Sequence, residues 1–127
     1  MKEVGLSDRE IRMIRAVFRG VPKVREAILF GSRAKLTHGP ESDVDLALVG
    51  IDDSLMAEVI AETLESLPIP YRFEVTPLTK ETYVPLAEHI RRIGVTVYTR
   101  DIHAHQKDEA FDVLAAAELK ELGYASE

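Results

Sequence analysis

The sequence has no cysteine, no long apolar run and no excess of positive charge. Each absence removes a class of protein. Without cysteine there is no disulfide framework, no thiol nucleophile and no thiolate zinc site. No stretch approaches the ~18–20 apolar residues that a membrane-spanning helix needs. The opening Met1-Lys2-Glu3-Val4-Gly5 also lacks the apolar segment of a signal peptide. A cytoplasmic domain with no membrane association is the expectation. The formal net charge of −6 disfavours direct nucleic-acid binding by bulk electrostatics. Several site motifs are missing as well: no Gly-x-x-x-x-Gly-Lys loop, no Gly-x-Gly-x-x-Gly and no His-Glu-x-x-His. Ser32, His89 and Asp43 could be named as a triad, but no nucleophile elbow surrounds Ser32.

What remains is a chain of 127 residues, 46% apolar and 30% charged, which suits one globular domain. Its charge is unevenly laid down. Residues 1–37 hold nine Lys/Arg against four Asp/Glu, whereas residues 38–127 hold seven against eighteen.

Ser7-Asp8-Arg9-Glu10 has the form of a capping box that opens a helix with Ile11, Ile14, Val17 and Phe18 on one face. The helix should stop near Gly20. Arg9, Arg12, Arg15 and Arg19 form a second stripe, expected to be a solvated face and alternatively a dock for an acidic partner or RNA. Ala27 to Phe30 is a short buried strand that ends in the turn Gly31-Ser32, and residues 35–42 are an exposed loop. A second strand spans Val44 to Val49, a helix about 55–67, and a third strand Tyr71 to Val75. Thr79 could cap a helix that runs to about Arg92, interrupted at Pro85 and stopped by Gly94 before a fourth strand, Val95 to Tyr98. The tail from Asp108 to Leu122 is helical by composition. The order α-β-β-α-β-α-β-α describes an α+β sandwich, a small mixed sheet of about four strands with helices packed on it.

The chemistry is concentrated in Phe30-Gly31-Ser32-Arg33-Ala34 and Ser42-Asp43-Val44-Asp45-Leu46. At strand periodicity Asp43 and Asp45 share a face, with Cα atoms roughly 6.5 Å apart. Side chains converging from that separation can share divalent ions ~3.5–4 Å apart, the spacing of two-metal phosphoryl-transfer sites. Oxygen-only ligands suit Mg²⁺, and a cation relieves the repulsion between the two acids. Gly31 allows close approach of an anion, Ser32 adds a hydroxyl and Arg33 a guanidinium, a set that fits nucleotide phosphates. A third acid should come from a neighbouring strand. Glu74 is the only acidic residue in Tyr71 to Thr76, although a lone strand Glu more often faces outward at an edge. The histidines carry less: His38 reads as a solvated loop residue, His89 as a packing residue, and His103 and His105 as a solvated pair near the end of the chain.

Gly31-Ser32, Asp43-x-Asp45-Leu46 and an acid on a later strand resemble the polymerase-β-like nucleotidyltransferase superfamily. The run Leu86 to Tyr98 resembles its minimal nucleotidyltransferase (MNT) branch, whose members commonly serve as antitoxins of HEPN-domain ribonucleases. The resemblance covers about residues 10–100. It implies a minimal nucleotidyltransferase domain over 1–105, with 106–127 as its helical extension. It also implies transfer of a nucleotidyl group, AMP for the antitoxins, from ATP or another NTP to a protein hydroxyl. Asp43, Asp45 and Glu74 would be the catalytic, metal-holding acids for two Mg²⁺ ions, and Gly31, Ser32 and Arg33 would bind the phosphates. A HEPN-type toxin is the expected partner, with a homo-oligomer of the chain as a further expectation. The alternatives are an inactive fold that neutralises its partner by contact, and transfer to a small molecule or an RNA end. Two positions depart from the family pattern: Glu74 stands where Asp is usual, and Leu36 where Gly is common.

Overall fold

The computed structural model describes residues 2–100. The expected tail helix and the pair His103 and His105 lie outside the described residues. The capping box forms: the Glu10 N–H donates to Ser7 Oγ and the Ser7 N–H to Glu10 Oε1, at 3.1 and 2.9 Å. It opens α1 (Asp8–Arg19), which buries Ile11, Met13, Ile14 and Phe18 and ends at Gly20. The arginine stripe is not the solvated face expected. Arg15 Nε donates to the Val97 carbonyl at 2.8 Å, and Arg12 and Arg19 are half-buried.

The remaining elements are β1 (Glu26–Phe30), α2 (Ser32–Lys35), β2 (Val44–Val49), α3 (Ser54–Glu65), β3 (Phe73–Pro77), α4 (Val84–Ile93) and β4 (Val95–Thr99). The sheet order is β3-β2-β1-β4. β2 and β4 flank β1 antiparallel, and β3 runs parallel to β2, so the sheet is mixed as expected. Alternation divides each strand between two faces. Ala27, Leu29, Val44, Leu46 and Leu48 point into a core shared with α1 and α3, and all five are fully buried. Ile28 takes the other face, where Gly94 at the end of α4 lies against its Cγ2.

Three boundaries differ from the sequence reading. β3 begins at Phe73 rather than Tyr71 and runs through Pro77, which an edge strand tolerates. Thr79 caps a separate turn: its hydroxyl accepts from the Glu81 N–H, and the Thr82 N–H donates to the Thr79 carbonyl. Pro85 does not interrupt α4 but starts it, where a missing N–H costs nothing. Among the described residues no helix is long and apolar enough to cross a membrane.

Candidate active site

β1 ends at Phe30, which pairs with Asp45 across the antiparallel ladder. Asp45 in turn lies beside Glu74 in the parallel ladder. Residues in register share a face and neighbouring strands lie about 4.8 Å apart, so these two carboxylates are adjacent. Asp43 immediately precedes β2 and has the same parity as Asp45. Burial, then the charges of Glu74 and Asp43, push the Asp45 carboxyl from 3.8 up to about 6. The charges of the other two acids predicted from sequence therefore both reach Asp45.

Gly31 closes the site from the β1 side. Its φ of 77° and ψ of −157° fall in a region open essentially only to glycine. A Cβ there would also run into the Asp45 carboxylate. Ser32 and Arg33 follow as the first residues of α2, whose leading N–H groups have no partner within the helix. Gly31 and Ser32 thus stand beside the acids.

Arg33 has other partners. It is 2% exposed. Its Nε donates to the Ser42 carbonyl at 3.0 Å and its Nη1 to the Gly5 carbonyl at 2.6 Å. The guanidinium lies 3.9 Å from the centroid of the Tyr71 ring. The Tyr71 phenol is held above its ordinary value, first by burial and then by Glu10, while Arg33 pulls the other way. Arg33, Glu10, Tyr71 and His38 line an open cleft of about 760 Å³ that includes none of Asp43, Asp45 and Glu74. His38 is not the solvated residue expected: it packs on Gly5, and its Nδ1 is buried. Sequence reasoning missed Gly5 and Tyr71, and no local pattern marks either as a partner of Arg33.

The donor set suits a hard divalent cation. Asp45, Glu74 and Asp43 offer oxygen alone, and the Asp45 carboxyl, raised first by burial and then by the charges of Glu74 and Asp43, is one that a cation would return to its charged form. Among the described residues no three His, Asp or Glu side chains close around one ion position. Mg²⁺ needs only one or two carboxylates, with water and substrate phosphates completing its shell.

The family model for polymerase beta nucleotidyltransferases matches residues 12–103. The chain belongs to that family. A comparison with curated proteins finds no match. Among solved structures, the nucleotidyltransferase is similar to a chain of a toxin–antitoxin crystallised with AMP-PNP, at 23% identity and a TM-score of 0.61 over 89% of this chain and 88% of that one. It is also similar to a chain of a MntA–toxin complex with two Asp-to-Glu substitutions, at 22% identity and 0.61 over 92% and 90%. A third likeness is to a chain of a complex between a tri-AMPylated HEPN toxin and an MNT antitoxin of Shewanella oneidensis, at 22% identity and 0.54 over 90% and 86%. At these identities the likeness is one of fold.

Proposed function

We propose that this nucleotidyltransferase moves an AMP group from ATP to a hydroxyl of a protein partner, and that the partner is a HEPN-type ribonuclease toxin which the transfer silences. The observation that carries the reading is the row formed by Asp45 and Glu74, with Asp43 beside it and Gly31 pressed against Asp45. It gathers negative charge where a nucleotide triphosphate and its cation would be held, next to a turn that admits a phosphate closely. Support for the partner class comes from the AMPylated HEPN toxin and MNT antitoxin whose fold this chain shares.

Asp43, Asp45 and Glu74 would hold Mg²⁺, which when bound neutralises charge on the phosphates and on the acceptor oxygen. Gly31 and Ser32 would seat the β- and γ-phosphates through backbone N–H groups and the Ser32 hydroxyl. The acceptor oxygen forms a bond to the α-phosphorus, and the bond from that phosphorus to the bridging oxygen breaks. Pyrophosphate leaves with the electron pair, and the acceptor proton passes to the Glu74 carboxylate. Glu74 is exposed and stands at the edge strand, where an incoming hydroxyl can reach it.

The test incubates the protein with α-labelled ATP, Mg²⁺ and a purified HEPN-type partner. Label on the partner with wild type, and none with the Asp43→Ala/Asp45→Ala double variant, is the expected outcome. Equal labelling by both sinks the assignment. Label on RNA or on a small acceptor alone points to the other transferase reading. The presence of Glu74 where the family usually has Asp favours a second reading, contact neutralisation without transfer. It predicts that the double variant binds and silences the toxin as wild type does.

A further inference from the structure

We propose that Arg33 is a positioning residue that sets the carboxylate row, and not a ligand of the nucleotide. Its place after Gly31-Ser32 in sequence suggests a phosphate contact, but its Nε and Nη1 are already directed elsewhere. A buried guanidinium must find acceptors or pay a heavy desolvation penalty. Arg33 finds them in two backbone carbonyls from separate segments, Gly5 of the N-terminal arm and Ser42 of the loop. Ser42 is the residue before Asp43, so the bond from Nε holds the peptide that launches the first acid. The same loop end is closed by the Ser42 hydroxyl, which accepts from the Gly39 N–H at 2.8 Å.

The flat side of the guanidinium braces the other acid. Tyr71, stacked against it, is followed by Arg72, whose carbonyl accepts from the Val44 N–H at 2.8 Å. That bond sets the register in which Asp45 and Glu74 face each other. One side chain therefore ties the lead-in to β2 to the lead-in to β3. The Gly5 N–H returns a bond to the Arg33 carbonyl at 2.7 Å, which fastens the arm to the same point. Nη2 is buried without a hydrogen-bond partner, and the cleft that Arg33 lines includes none of the three acids. A lysine cannot reproduce this arrangement, because an ammonium has neither the planar fork nor the stacking face.

The inference uses the proposed role of the acids, and its test reads metal binding apart from transfer. Mn²⁺ binding is measured by calorimetry without nucleotide, followed by KM for ATP and kcat, in Arg33→Lys, Tyr71→Leu and Tyr71→Phe. We expect Arg33→Lys and Tyr71→Leu to weaken Mn²⁺ binding by about 10- to 100-fold, the scale seen when groups that orient metal ligands are changed. kcat should fall in parallel while KM for ATP stays within about 2-fold, and Tyr71→Phe, which keeps the stack, should match wild type. A phosphate ligand would behave oppositely: Arg33→Lys would keep Mn²⁺ affinity and kcat and raise KM. That result overturns the proposal. If Arg33→Lys does not fold, unchanged Mn²⁺ affinity in folded Tyr71→Leu overturns it equally. Loss of Mn²⁺ affinity in these variants, in a protein whose wild type transfers no label, would remove the proposed function and leave Arg33's role standing.

Discussion

The two faces of this sheet are built from the same strands and do opposite things. On one face Leu29, Leu46 and Leu48 are fully buried against α1 and α3 and supply cohesion. On the other, one residue along the chain from Leu46, Asp45 is half-buried among like charges. A carboxyl driven up to about 6 opposes folding once it ionises, so Asp45 is held in place by the packing around it. Stability and chemistry are separated here by a single step of strand alternation. Function of this kind needs an arrangement that the fold would not choose for itself.

Adjacent substitutions break the comparison most sharply. Asp45→Asn should lower nucleotidyl transfer by about 10³-fold or more while the protein stays folded. Leu46→Ala should destabilise the fold by about 2–5 kcal/mol, read by urea denaturation, with kcat of the folded fraction close to wild type. If Leu46→Ala cuts kcat as deeply as Asp45→Asn, the faces are not independent. Gly31→Ala should fail on both counts, because its backbone conformation excludes a Cβ and that Cβ meets Asp45. A loss of about 1–3 kcal/mol together with loss of transfer is expected.

The pH dependence sharpens the contrast. Asp45 binds its proton more tightly in the folded state, with a carboxyl near 6 against 3.8 unfolded. Its contribution to stability is therefore complete below about pH 4 and is lost as the pH rises through about 6. In metal-free protein Asp45→Asn should gain on wild type across that window and hold the gain above it. After allowance for solvent screening the gain is roughly 1–2 kcal/mol. Added Mg²⁺ should stabilise wild type at pH 7.5 and leave Asp45→Asn nearly unmoved. Equal stability curves for the two proteins from pH 4 to 8 would show that Asp45 is not strained. Glu74→Gln should bring Asp45 part of the way back, since burial is the larger cause of its shift.

What the sequence discloses follows the range of the interaction. Val44 to Val49 alternates cleanly and is a strand with those bounds, and Ser7 and Glu10 form the capping box their spacing predicts. Asp43 and Asp45 are placed by strand parity, so their pairing was legible too. Glu74 was legible as an acid on a later strand, but its position beside Asp45 depends on the β2–β3 register, a long-range property. Tyr71 resembles strand in composition and is instead drawn into a stack with Arg33. Pro85 resembles a breaker in the middle of a helix and is a helix start, because Thr79 and Thr82 form their own turn first. Arg33 is the instructive case. Its neighbours in sequence suggest phosphate, whereas its neighbours in space, Gly5 and Tyr71, come from segments that no local pattern links to it.

The smallest effect is expected at the turn after α2. Leu36, where the family commonly has Gly, ends α2 in the left-handed conformation with φ 61° and ψ 30°. For a residue with a Cβ that conformation costs about 1–2 kcal/mol. The side chain is 47% exposed and gains little from burial in return. Leu36→Gly removes the strain, but the unfolded chain gains freedom that opposes folding by about 0.4–1 kcal/mol. The two terms leave a net stabilisation of no more than about 1.6 kcal/mol, visible as a shift in the urea midpoint at unchanged slope. Transfer should stay within a few-fold of wild type, since the Arg33 bonds to Ser42 and Gly5 hold the loop end whatever occupies position 36. A destabilised Leu36→Gly would mean that the leucine side chain contributes packing which outweighs its backbone strain.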